Sequence, residues 1–135
     1  MSGAIPEGEP MNGNDFDRED LGRAVDKWRG QSRKGFLELC ILVCVQLNKR
    51  IFGYAIMENL QSLGLDMSEG SLYPLLARLV KEKTLEACWE MPAAGHPRKY
   101  YTLSPFGLEF LQQIEQAYEA DHRAFLNLKD ERIKP

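Results

Sequence analysis

Between residues 53 and 103, two helix patterns, a strand, a break and a returning strand follow one another with no spare linker. A chain ordered this way must pack short helices directly against a β-ribbon. In the second helix pattern, Leu72, Leu75, Leu76 and Leu79 recur at i, i+3, i+4 and i+7 and form one buried stripe. The opposite face is left to Ser71, Tyr73, Pro74, Arg78 and Lys81. Ser68 or Ser71 can cap the first amides. Pro74 has no amide donor and fits most cheaply in a first turn, which a cap at Ser71 would give it. A start at Glu69 instead crowds the Gly70 carbonyl against the proline ring and predicts an irregular first turn.

The run Leu85-Glu86-Ala87-Cys88-Trp89-Glu90-Met91 alternates as a half-buried strand does. Pro92-Ala93-Ala94-Gly95-His96-Pro97 breaks it, and Arg98-Lys99-Tyr100-Tyr101-Thr102-Leu103 returns. Together these patterns predict a mainly α fold with a small β-hairpin, a winged helix-turn-helix that offers one helix and one ribbon to duplex DNA. Arg98 and Lys99 suit phosphate oxygens, with His96 adding charge when protonated. Such contacts set register, whereas base identity is read at the helix edge, where an arginine such as Arg78 pairs with guanine.

Three blocks carry a resemblance. Gly53-Tyr54-Ala55-Ile56-Met57-Glu58, then Ser68 through Leu79, then Gly95-His96-Pro97-Arg98-Lys99-Tyr100-Tyr101-Thr102-Leu103-Ser104-Pro105-Phe106-Gly107 resemble the signature blocks of the PadR family over roughly residues 34–128. The resemblance implies a prokaryotic transcription regulator, usually a repressor, that binds a palindromic operator as a homodimer. It places Tyr54 near the phosphate backbone, Ser71, Tyr73 and Pro74 at the groove-facing edge, and Arg98 and Lys99 on the basic wing. Two features depart from the family pattern. Lys83-Thr84 stands where Glu-Gly is common, so the recognition helix is expected to end without left-handed glycine relief. The 30-residue leader is often missing from members.

Net charge is only −3, and its distribution matters more than its sum. Residues 28–104 hold ten Lys or Arg against seven acids, while residues 1–27 hold three against seven and residues 105–135 four against six. Positive charge thus gathers on the proposed reading domain, and the acidic ends discourage indiscriminate phosphate binding. Residues 1–27 read as an acidic tail with a short helix at its end, docked through Leu21, Val25 and Trp28. No signal peptide or apolar span is visible, so the expected compartment is the cytoplasm.

Cys40, Cys44 and Cys88 make no disulfide framework. Cys40 falls in an apolar stripe with Phe36, Leu39, Val43 and Leu47, which assigns it to core packing. No spacing gathers metal ligands, and no nucleotide loop, carboxylate pair or nucleophile triad occurs, so neither a metal, a cofactor nor catalysis is expected.

The first helix is expected over residues 33–47, with Lys49 and Arg50 in the following turn near phosphate. A second helix over 53–63 turns Ile56, Met57, Leu60 and Leu63 inward and ends at Gly64. Ser104-Pro105 starts a last helix reaching residue 128. Along it Leu111, Tyr118 and Phe125 repeat every seven residues, and Ile114 and Leu128 fill alternate positions, a seam suited to a dimer. The expected organisation is therefore a tail at 1–27, a DNA-binding domain at 28–104, a dimerisation helix at 105–128 and a tail at 129–135. Trp28, Trp89, Tyr118 and Phe125 are candidate walls for a small hydrophobic effector, against a plain packing role. The competing function is a winged-helix protein-interaction module whose wing charges only solvate it.

Overall fold

The structure is a computed structural model that describes residues 15–130. Residues 1–14 of the expected tail and 131–135 at the other end lie outside the described residues. The elements run α1 (Arg18–Asn48), β1 (Ile51–Phe52), α2 (Gly53–Ser62), α3 (Glu69–Lys81), β2 (Leu85–Glu90), β3 (Arg98–Leu103) and α4 (Pro105–Leu128). The chain divides into two units, one up to Gly35 and one from Phe36.

In the first unit the helix begins where Asp17 accepts a hydrogen bond from the Glu19 amide at 2.8 Å. Glu19 and Asp20 in the opening turn favour the positive end of the helix dipole. The predicted short helix and first helix are one element, since Arg18 to Asn48 is continuous. Nothing between residues 28 and 33 breaks a helix strongly: Gly30 costs only about 1 kcal/mol there. Leu21, Val25 and Trp28 are exposed.

In the second unit Ile41, Leu42 and Val45 of α1 meet Ile56, Met57 and Leu60 of α2, Leu72, Leu76 and Leu79 of α3, Leu85 and Tyr101 of the sheet, and Leu111 of α4. Each fully buried aliphatic side chain contributes about 1.5–3 kcal/mol. The buried face of α1 differs from the expected stripe. Leu47 is exposed and Phe36, Cys40 and Val43 are half-buried, because the helix is apolar over more than one stripe and Leu42 and Val45 take the centre. Leu63 is likewise exposed, having left α2 as its C-cap residue.

The sheet has three antiparallel strands in the order β1-β3-β2. Ile51 and Phe52 pair with Tyr101 and Tyr100, and β2 pairs with β3 from Leu85↔Leu103 to Glu90↔Arg98. The expected hairpin is there, with β1 added along its free edge.

Two helix ends use the same device. After α2, Gly64 has φ +83°, and the amides of Gly64 and Leu65 reach the carbonyls of Gln61 and Leu60 at 3.0 Å each. After α3, the amides of Lys83 and Thr84 reach Val80 and Leu79 at 2.9 Å each. Both are Schellman caps. Lys83 holds φ +65°, so the left-handed turn that its side chain was expected to forbid is made nonetheless. Hydrogen bonds from the start of α4 hold it in place. The Thr84 carbonyl accepts from the Ser104 amide at 3.2 Å, and Ser104 Oγ accepts from the Gly107 amide at 2.8 Å while donating to the Lys83 carbonyl at 2.6 Å. The turn closing α3 is thereby locked onto the first turn of α4.

Candidate nucleic-acid interface

Ser68 supplies the cap of α3: its backbone is extended (φ −104°, ψ 164°), and its Oγ accepts from the Ser71 amide at 3.3 Å. Of the two starts the sequence left open, this one puts Pro74 inside the helix. No amide then meets the Gly70 carbonyl from the following turn. Gly70, Ser71, Tyr73, Pro74, Ala77 and Lys81 are exposed, while Leu72, Leu76 and Leu79 are fully buried and Leu75 half-buried. The outward edge therefore combines small groups, one hydroxyl, one phenol and a backbone carbonyl that lacks its i+4 amide. Small and apolar groups can approach thymine methyls closely, and hydroxyls can pair with either base edge.

Tyr73 owes its position to a glycine. A Cβ on Gly53 would fall 2.8 Å from the Tyr73 ring, so the ring lies directly across the first residue of α2. Burial, helped by nearby Tyr73, raises the pKa of the Tyr101 hydroxyl, so that phenol stays a neutral donor around pH 7. Tyr54 stands exposed one residue beyond Gly53. The α2 cap residue Phe52 is extended and makes no side-chain capping bond. The leading amides of α2 thus remain open to an anion such as a phosphate.

Strand alternation separates the two wing cations. Arg98, Tyr100 and Thr102 share one face of β3, whereas Lys99, Tyr101 and Leu103 share the core-side face. Arg98 donates to Glu90 at 3.2 Å and stacks over Phe52 at 4.4 Å. Arg50 donates to the other Glu90 oxygen at 3.0 Å and stacks over Tyr100 at 4.3 Å. Phe52 and Tyr100 meet edge to face at 6.1 Å. One carboxylate and two rings therefore order both guanidiniums, a cluster that sequence reading missed. Its signal was the Ile51-Phe52 pair, too short to announce a strand. Lys99 lies on the other side, 5.6 Å above the Trp89 ring, and Lys49 is exposed in the α1–β1 turn with φ +65°.

Arg78 has a different employment from the one its sequence position implied. Its guanidinium donates to Glu38 at 2.8 Å and to both Glu82 oxygens at 2.8 and 3.0 Å. Hydrogen bonds first to Glu38 and then to Glu82 raise its pKa further. The side chain thus joins α3 to α1 instead of reaching out to a base.

On α4, Leu111 is completely buried within its own chain and has no surface to offer a partner. The heptad count failed there because the first turns of α4 serve the intrachain core. Ile114 is half-buried against that core, Tyr118 packs on Phe36 at 5.5 Å, and Phe125 and Leu128 are exposed. Of the expected effector walls, Trp28 belongs to the first unit; within the second, Trp89 lies under Lys99 and Phe125 neighbours His122 and Lys129. Tyr118 alone lines an open cleft of about 380 Å³ between α1, α2 and α4. Cys40 and Cys44 line it too, as half-buried thiols packed against the core, where Cys40 was expected. Among the described residues no three His, Cys, Asp or Glu side chains gather as a metal site, and no helix is long and apolar enough to cross a membrane.

Residues 41–119 match the model of the transcriptional regulator PadR-like family. A PadR-like transcriptional regulator of Bacillus cereus is 37% identical, with a TM-score of 0.66 over 74% of this chain and 97% of that one. A PadR-like transcription factor of Bacteroides fragilis is 32% identical, with a TM-score of 0.66 over 76% and 98%. A PadR family transcriptional regulator of Eggerthella lenta is 27% identical, with a TM-score of 0.70 over 84% and 98%.

Proposed function

From the premise that this chain belongs to the PadR-like family of transcriptional regulators, non-enzymatic DNA-binding proteins with a winged-helix fold, we propose that it is a homodimeric repressor of a palindromic operator. The observation that carries the reading is the outward edge of α3. Ser71, Tyr73 and Pro74 are exposed beside one another, on a helix held by three fully buried leucines and locked at its far end to α4. A rigid edge of this kind suits the major groove. Tyr54 and the uncapped start of α2 suit the adjoining phosphates, as do Lys49, Arg50, Arg98 and Lys99 around the sheet. Arg78 serves as a positioning residue behind that edge.

Residues 28–104 form the reading domain in this proposal and residues 105–128 the dimerisation helix, now through Tyr118, Phe125 and Leu128 without Leu111. Two-fold pairing would set two α3 helices about 34–36 Å apart, one turn of duplex. Occupancy over a promoter, in the cytoplasm, then excludes polymerase. A small hydrophobic effector would relieve repression by changing the angle of the α4 helices.

Sequencing of the duplex fragments retained by the purified protein tests the assignment. Ser71→Ala and Tyr73→Phe should change which sequences are retained, whereas Lys99→Ala should weaken all fragments alike. Retention that ignores sequence, in the parent and in every variant, contradicts it.

A further inference from the structure

The cleft between α1, α2 and α4 has a wall that regulation by DNA contact does not use. Cys40 and Cys44 stand one helical turn apart on α1 and both line it, with Leu39, Val43 and Leu60 around them. Side chains at i and i+4 lie on one helix face, with Cβ atoms about 5–6 Å apart, so two flexible thiols can converge on one bridging atom. The Asn48 side-chain amide donates weakly to Cys44 Sγ at 3.9 Å, which sets that thiol beside a polar group at the opening. Two donors without a third describe an unusual ligand set. Zinc is bound by about four ligands, and no other Cys, His, Asp or Glu side chain completes such a group among the described residues. The lining is mostly apolar and its charged members are the acids Glu115 and Glu119, surroundings that disfavour two further negative thiolates. Burial pushes both thiols up, Cys40 further because Cys44 is close, so they stay protonated at neutral pH.

We propose that Cys40 and Cys44 form a dithiol site for an uncharged trivalent arsenical carrying one organic substituent, whose apolar group occupies the cleft. The chemistry balances without a redox partner. An arsonous acid R–As(OH)2 exchanges two As–O bonds for two As–S bonds, the two thiol protons leave with the two hydroxides as water, and arsenic stays trivalent. The organic group supplies the third substituent that the protein lacks. Exposed Cys88, alone on the outer sheet face, can form only one such bond and serves as an internal control.

The test uses the full-length protein, reduced with a phosphine and mixed with one equivalent of phenylarsine oxide. Intact mass should show one phenylarsenic group per chain, and subsequent alkylation should find one reactive thiol where the free protein has three. Cys40→Ala and Cys44→Ala should each abolish the stable adduct while Cys88→Ser keeps it; circular dichroism of each variant separates loss of ligand from loss of fold. Retention of the adduct in a folded Cys40→Ala or Cys44→Ala chain overturns the proposal. So does its loss in Cys88→Ser, or the absence of an adduct on the parent protein.

Discussion

Glu90 decides how much positive charge the wing can show. Its two oxygens hold Arg50 and Arg98, whose guanidiniums would otherwise be the strongest phosphate ligands on that sheet face. Exposed ion pairs of this kind contribute only about 0.2–1 kcal/mol, less than a phosphate contact yields by releasing counterions at low salt. Both arginines should therefore exchange Glu90 for phosphate when duplex arrives, and removing the carboxylate should make that exchange easier. Glu90→Gln is expected to tighten binding to every duplex at low salt and to leave the salt slope as it was, because the same phosphates are neutralised in both proteins. Fluorescence anisotropy across a salt series measures this; an unchanged affinity at low salt would mean that neither arginine reaches the backbone. Arg78 presents the opposite case, because its partners Glu38 and Glu82 hold it within the protein. Arg78→Met should lower stability to urea by no more than about 1 kcal/mol and leave the sequence preference as it was. A change in preferred sequence would return Arg78 to the reading edge.

At the scale of elements, the turn that closes α3 combines a backbone cost with a tight fit. A lysine at φ +65° gives up roughly 1–2 kcal/mol relative to an unstrained residue, and glycine removes most of that cost. Lys83→Gly should accordingly raise the unfolding free energy by about 1 kcal/mol in urea titration. A loss of stability would show that the lysine stem makes a contact worth more than the strain. One turn into α4, Gly107 tolerates no side chain: a Cβ there would fall 2.0 Å from the Thr84 carbonyl, which is itself bonded to Ser104. Gly107→Ala should destabilise the chain by about 1–3 kcal/mol, the range for forcing extra atoms into a packed site. The repeat of leucines in α3, the Ser104-Pro105 start of α4 and the glycine after α2 were legible in the sequence, because each is a local rule that the tertiary structure obeys. The strand β1 was not, since two residues carry no periodicity and only pairing with Tyr100 and Tyr101 makes them a strand. The partners of Arg78, Arg50 and Arg98 were equally hidden. Glu38 lies 40 residues from Arg78, and Glu90 lies 40 from Arg50, so only folding reveals those contacts.

For the whole molecule, an excess of acids coexists with a stretch, residues 28–104, that is richer in bases, so binding should follow geometry more than bulk charge. The proposed function in turn asks for two readers on one frame. Phe125 and Leu128 near the end of α4 are exposed apolar side chains suited to that pairing, whereas Leu111 belongs to the core of its own chain. Phe125→Asp should halve the mass seen by sedimentation while the monomer keeps its helical circular dichroism. Leu111→Ala should instead cost about 2–5 kcal/mol of unfolding free energy. If Phe125→Asp stays dimeric, the pairing face lies elsewhere. The most direct measurement is titration of the purified full-length protein against labelled duplexes from upstream of its own gene, at two salt concentrations and beside scrambled duplexes of equal length. The account predicts saturable binding that prefers the natural sequence and weakens as salt rises; failure to bind any duplex even at low salt would contradict it.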